Sequence, residues 1–210
     1  MLAGGRGSRM GRDKALLQLA GRPLIDHAIA KLRRICGEVH ILAGEQTTAA
    51  NGRNAATRAS RLAAYAPLVY DLHPGCGPIA GVEAALAHSS QEWNLILPVD
   101  MPLLPTAFLG EWVRRAVGRS PERVALFEVG GRTQAMPLLI HRDAGAYLSR
   151  AMERGEYTLL AALEGAAMES GAGPDISVLS AGERQGWFAN LNTPEEFAAA
   201  EAHVDSLDTL

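Results

Sequence analysis

A chain of 210 residues with 48% hydrophobic and 20% charged positions can bury a core of its own, which excludes a disordered or fibrous polypeptide and makes one domain over residues 1–210 the expectation. Its formal net charge of -3 gives no general attraction to nucleic acid or anionic lipid, and no apolar run approaches the roughly 20 residues of a membrane helix. Two cysteines, Cys36 and Cys76, are too few for a disulfide framework, the histidines lack zinc-ligand spacing, and no basic-then-apolar leader opens the sequence, so a cytoplasmic protein without nucleic-acid or membrane partners is expected.

In chain order, a glycine-rich segment from Leu2 to Lys14 comes first. After Pro23, the residues Ile25, Ala28, Ile29, Leu32 and Ile35 recur at three- and four-residue steps, the stripe of a helix packed on a sheet. Val39 to Ala43 reads as a strand, residues 51–64 as a solvated helix or loop alternating alanine with arginine, and Leu68 to Tyr70 as a short strand ending at Asp71. A loop rich in glycine and proline, His73 to Pro78, precedes a helical pattern from Ile79 to His88. Asn94 to Val99 is a continuous apolar run, as in a parallel strand buried on both faces, and it delivers Asp100 at its C-terminal end. A helix from Thr106 to Val117 follows, then a hairpin around Gly130-Gly131 with arms Arg123–Val129 and Pro137–Ile140. One helix over 144–166, a strand over 176–179 and a last helix capped by Thr193, with Pro194 and Glu196 completing a capping box, end the series. Strands alternating with helices predict an α/β fold of three layers, with a mostly parallel sheet and helices on both faces.

Four segments carry chemistry. Gly4, Gly5, Gly7 and Gly11 allow close backbone approach and an anion-binding nest, to which Arg9 and Lys14 add fixed positive charge. The bland alternative is a basic tail. A P-loop is excluded because Lys14 follows Asp13 and lacks the Gly-Lys-Ser/Thr context, and a dinucleotide fingerprint is a poor fit because Asp26 falls inside a predicted helix. Asp100, at a strand's carboxyl end, is placed to hold a metal against phosphate oxygens, or else merely starts the turn before Pro102. Asp71 and the following Gly/Pro loop can shape a base or ribose pocket. Asn190 and Asn192, just ahead of a helix N-terminus, can donate to phosphate or serve only as part of the cap. His73 and the other histidines are read as surface or packing residues.

Taken in order, Leu2-Ala3-Gly4-Gly5 with Arg9-Met10-Gly11 and Asp13-Lys14, Pro78-Ile79-Ala80-Gly81, Asp100-Met101-Pro102 and Asn190-Leu191-Asn192-Thr193-Pro194 resemble the molybdenum cofactor guanylyltransferase family of Rossmann-like nucleotidyltransferases. The resemblance implies transfer of GMP from Mg-GTP to the phosphate of molybdenum-molybdopterin, with release of pyrophosphate. It implies nucleotide contacts at Leu2, Ala3, Gly4, Gly5, Lys14, Asp71 and Asp100, with Asp100 holding Mg²⁺. Arg9, Gly11, Asn190 and Asn192 would line the molybdopterin side, and Lys14, Asp100 and Arg9 would serve catalysis. Contacts with molybdoenzymes or other cofactor-biosynthesis proteins are implied too. The family has a strand ahead of the position of Leu2, lying in mid-sheet, and an asparagine near the position of Glu45. Cytidylyl or sugar-phosphate transfer, and a nucleotide-binding accessory module without turnover, are the alternatives.

Overall fold

The computed structural model describes residues 1–3, 13–46, 52–118, 123–170, 176–182 and 184–203. In chain order, a hairpin of β1 (Gln18–Leu19) and β2 (Arg22–Pro23) leads into α1 (Leu24–Ile35), followed by β3 (Ile41–Leu42), α2 (Gly52–Ala63), β4 (Leu68–Val69), α3 (Pro78–His88) and β5 (Trp93–Ile96). Then come α4 (Thr106–Val117), β6 (Val124–Val129), β7 (Arg132–His141), α5 (Gly145–Glu153), α6 (Leu159–Ser170), β8 (Ile176–Ser180) and α7 (Pro194–Glu201).

Successive strand residues alternate between the two faces of the central sheet, so each strand feeds two cores. Ile41, Leu97, Ala125, Phe127 and Leu139 face one cluster, packed under α1, α4 and the end of α2. Leu42, Ile96, Val124, Leu126, Leu138 and Ile140 face the other, under α3, α5 and α6. Burial on both faces is why these strands read as unbroken apolar runs, and it gives the three layers predicted.

The sheet has two halves. β3 pairs in parallel with β4, while β5, β7, β6 and β8 lie side by side in that order. Residue Leu2 joins them by parallel bridges to Leu42 and to Pro98. Its amide donates to Leu97 O at 2.9 Å, its carbonyl accepts from Val99 N at 3.1 Å, and Ala3 N donates to Leu42 O at 3.0 Å. The order is therefore β4–β3–residue 2–β5–β7–β6–β8, parallel except that β7 runs against both of its neighbours. Ahead of residue 2 the edges of β3 and β5 flank a cavity of about 730 Å³ lined by Met1, Cys36, His40, His88 and Trp93 among others. The Met1 amino group is buried beside it, donates to His40 O at 2.7 Å, and is pushed by desolvation from the usual 8.0 down to about 5.

Three expectations need correction. The helix predicted over 144–166 is two helices, because Gly155 adopts φ +81° and closes α5 with a Schellman motif. Gly155 N bonds to Met152 O and Glu156 N to Ala151 O, each at 2.9 Å. The run 94–99 is not one parallel strand: Trp93–Ile96 pairs antiparallel with β7, and only beyond it does the chain turn to residue 2. The strand expected over 39–43 keeps ladder geometry only at Ile41–Leu42. Among the described residues no helix is long and apolar enough to cross a membrane.

Candidate active site

The carboxyl ends of β3, β4 and the run after β5 lie on one edge of the sheet, and the side chains with chemistry collect there. Lys14 Nζ donates to Asp100 Oδ2 and to Asn192 Oδ1, both at 2.6 Å, joining the start, middle and end of the chain. The lysine and the aspartate side chains are each 21% exposed, so the pair is partly shielded and still reachable by a ligand.

Each member is held by local structure. Lys14 begins a short 3-10 turn, Lys14–Leu16, for which Asp13 is the cap: Asp13 Oδ1 accepts from Ala15 N at 3.2 Å and its carbonyl from Leu16 N at 3.0 Å. Asp100 directly follows Val99, whose amide is bound to residue 2, and Asp100 O accepts from Leu191 N at 3.0 Å. The buried Leu191 thereby docks the asparagine segment against the strand end. Asn192 is aimed by the α7 capping box, in which the Glu196 carboxylate accepts from the amides of Asn192 and Thr193, while Thr193 Oγ1 accepts from Glu196 N.

Asp71 follows β4, and its amide donates to Gly44 O at 2.9 Å. Partial burial pushes its carboxyl above the usual aspartate range. Gly81 in α3 permits this crowding: a Cβ there would stand 3.0 Å from Leu2 Cδ1 and 3.6 Å from Asp71 Oδ1. Leu2 and Ala3 thus reach the same edge as Asp71 and Asp100. Asn190 is exposed two residues ahead of Asn192, whose side-chain amide donates to its carbonyl at 3.4 Å. Gly4, Gly5, Arg9 and Gly11 lie outside the described residues. Glu45 is exposed just past Gly44, which takes φ +80°. His73 is exposed and paired at 2.8 Å with Glu83, a buried carboxylate that also accepts from Ser149 Oγ at 2.6 Å.

One residue of this edge escaped the sequence reading. Arg58, from α2, donates to Ala3 O at 2.6 Å and to Ala43 O at 3.3 Å, and its Nε lies 2.7 Å from Asp13 Oδ2. That last contact is a close ion pair without hydrogen-bond alignment, made to a buried oxygen that has no hydrogen-bond partner among the described residues. The partners of Arg58 are two backbone carbonyls and an ion-paired carboxylate on distant segments, which no local pattern in an alanine-arginine helix could announce.

A family model for the MobA-like NTP transferase domain matches residues 1–167. The molybdenum cofactor guanylyltransferase of Pseudomonas aeruginosa is 36% identical over 204 aligned positions, covering 94% of this chain and 91% of that protein. The molybdopterin-guanine dinucleotide biosynthesis protein A from Archaeoglobus fulgidus has the same fold, with a TM-score of 0.75 at 22% identity over 97% of this chain and 96% of its own. A 4-diphosphocytidyl-2C-methyl-D-erythritol synthase from Anaerococcus prevotii gives a TM-score of 0.69 at 10% identity, over 97% and 93% of the two chains. The three layers described above are thus those of the Rossmann-like nucleotidyltransferases.

Proposed function

Because the chain belongs to the MobA-like NTP transferase domain family, we propose that it transfers GMP from GTP to the terminal phosphate of molybdenum-molybdopterin and releases pyrophosphate. The observation that carries this reading is the Lys14 ammonium held between Asp100 and Asn192 at the carboxyl edge of the sheet. In open α/β sheets that edge is where ligands bind.

The acceptor's phosphate monoester has its second pKa near about 6 and is already a dianionic nucleophile at neutral pH, so no general base is required. One of its oxygens attacks the α-phosphorus of GTP; the new O–P bond forms as the bond to the β-phosphate oxygen breaks, and pyrophosphate leaves with that electron pair. The work left to the protein is alignment and neutralisation of charge. Lys14 meets the triphosphate with its ammonium. Leu2 and Ala3 present backbone beside it, and the resemblance would make Gly4 and Gly5 further nucleotide contacts. Asp71, whose carboxyl pKa is raised by burial, accepts from the guanosine, Asn190 and Asn192 face the acceptor, and the resemblance would add Arg9 and Gly11 to that side.

Asp100 fits a magnesium ion. It engages Lys14 through Oδ2, and among the described residues no hydrogen bond to Oδ1 is found and no group of three or more His, Cys, Asp or Glu could hold a metal. One carboxylate completed by substrate phosphates is the donor set that Mg²⁺ accepts and a dedicated all-protein cage is not. When bound, the ion offsets the negative charge that develops on the departing pyrophosphate.

The test is pyrophosphate release by purified protein supplied with Mg²⁺, GTP and molybdenum-molybdopterin. Release from the wild type and its fall by at least about 100-fold in Asp100→Ala are expected, the size that loss of a preorganised charge-stabilising group gives. Competition among GTP, CTP and UTP fixes the base, and preference for CTP would overturn the guanylyl assignment.

A further inference from the structure

Arg58 stands behind the site, on α2. Its guanidinium touches Ala3 O, Ala43 O and Asp13 Oδ2. Ala3 and Asp13 flank the glycine-rich residues 4–12, so one rigid fork is bound to the chain on both sides of that segment and to the end of β3. Asp13 in turn caps the turn that starts at Lys14, through Oδ1 to Ala15 N and through its carbonyl to Leu16 N. Lys14 then carries its ammonium to Asp100 and Asn192. The contacts form an unbroken relay from guanidinium to carboxylate to capped turn to ammonium.

We propose that Arg58 is a positioning residue that sets the place of Lys14 through Asp13, a role that rests on the nucleotidyl-transfer reading of the site. The chemistry suits arginine and not lysine. Two carbonyl acceptors and a carboxylate ion pair in three directions need the planar guanidinium, whereas an ammonium on a flexible stem holds a point charge and no fixed angle. Partial burial, with the side chain 29% exposed, strengthens the two charge-assisted hydrogen bonds and the ion pair relative to water. A purely structural reading, in which Arg58 only fastens α2 to the sheet, makes a different prediction: its loss would weaken the fold without coupling to Lys14.

A double-mutant cycle separates the two. Wild type, Arg58→Ala, Lys14→Ala and the double variant are compared for pyrophosphate release and for affinity toward Mg-GTP by calorimetry, with thermal midpoints recorded for all four. A displacement of a reacting group by about 1 Å can cost about 100-fold, so Arg58→Ala is expected to lose roughly 10- to 100-fold in kcat/KM. The double variant should lose no more than Lys14→Ala alone, to within about threefold, because there is no ammonium left to misplace. Free guanidinium at millimolar concentration should restore activity to Arg58→Ala and not to the double variant, and Arg58→Lys should remain impaired. Asp13→Asn, which weakens the ion pair and keeps an oxygen for the cap, should reproduce the Arg58→Ala loss and serves if Arg58→Ala does not fold. Multiplicative losses in the double variant, or guanidinium rescue independent of Lys14, would overturn the proposal. A wild type that binds GTP without releasing pyrophosphate would sink the transfer reading alone, since the cycle is then read from affinity; a wild type with no affinity for GTP overturns both.

Discussion

For a chain that starts with a free Met1 amine, lowering the pH from 8.5 to 5 should destabilise the fold through one group above others, that amine. The Met1 amine is fully buried, donates to His40 O, and has its pKa moved from 8.0 to about 5 by desolvation. A base depressed in the folded state is neutral there while the unfolded chain still binds the proton, so stability is full above pH 8 and is lost as pH falls toward 5. The interval corresponds to about 4 kcal/mol in all, with about 1.4 kcal/mol already lost at pH 7. For a chain of this size, at about 2–4 °C per kcal/mol, the midpoint should fall by roughly 8–16 °C across the range. Burial also lowers the His40 pKa, which acts in the same direction, and burial raises that of Asp71, which acts in the opposite one, so pH alone does not isolate the amine. Acetylation of Met1 does: the amide keeps an N–H for His40 O, loses the titration, and finds room in the adjoining cavity. Scanning calorimetry of the free and acetylated proteins should give midpoints that diverge steadily below pH 8. Parallel curves would refute the reasoning and mean that water in the cavity solvates the ammonium.

Two substitutions test the backbone. Ala20 and Gly21 link β1 and β2 with φ of +51° and +73°, both in the left-handed region that a two-residue primed turn demands. Ala20→Asn should stabilise by about 0.5–1 kcal/mol, since alanine carries a left-handed penalty that asparagine tolerates; an unchanged or lower thermal midpoint would count against that account. Gly155 has open space where a Cβ would project, so Gly155→Ala adds no clash and should still cost about 1 kcal/mol from φ +81° alone. A neutral result in chemical denaturation would show that the α5 terminus relaxes.

What could be read in the sequence depended on the range of the interactions. The bounds of α4, Thr106–Val117, and the α7 capping box were legible because helical period and capping residues act over a few positions. Asp100, Lys14 and Asn192 were legible as separate motifs, though only the fold places all three within a few ångströms. The partner switch after β5 was hidden because a run buried on both faces looks the same whichever strand it pairs with. Gly155 was overlooked inside a run otherwise compatible with helix, and the β1–β2 hairpin because Ala-Gly is a weak turn signal. Arg58 could not be found at all, since two of its acceptors are main-chain carbonyls and therefore have no residue identity.

The short segment of residues 1–3 that sews the two halves of the sheet together also governs how the protein opens. Among the described residues β3 and β4 meet the rest of the sheet only through that segment, so the boundary there is the natural plane of sub-global unfolding, and the smaller half can part before the β5–β8 half melts. Ala43 and Asp71 lie on one side of that seam and Asp100 and Asn192 on the other. Native-state hydrogen exchange should then find two cooperative units, with amides at Leu42, Ala43 and Asp71 exchanging together at lower free energy than those of β6 and β7. A ligand that grips both sides would act as a stitch across the seam, and its affinity would appear as slowed exchange in the weaker unit.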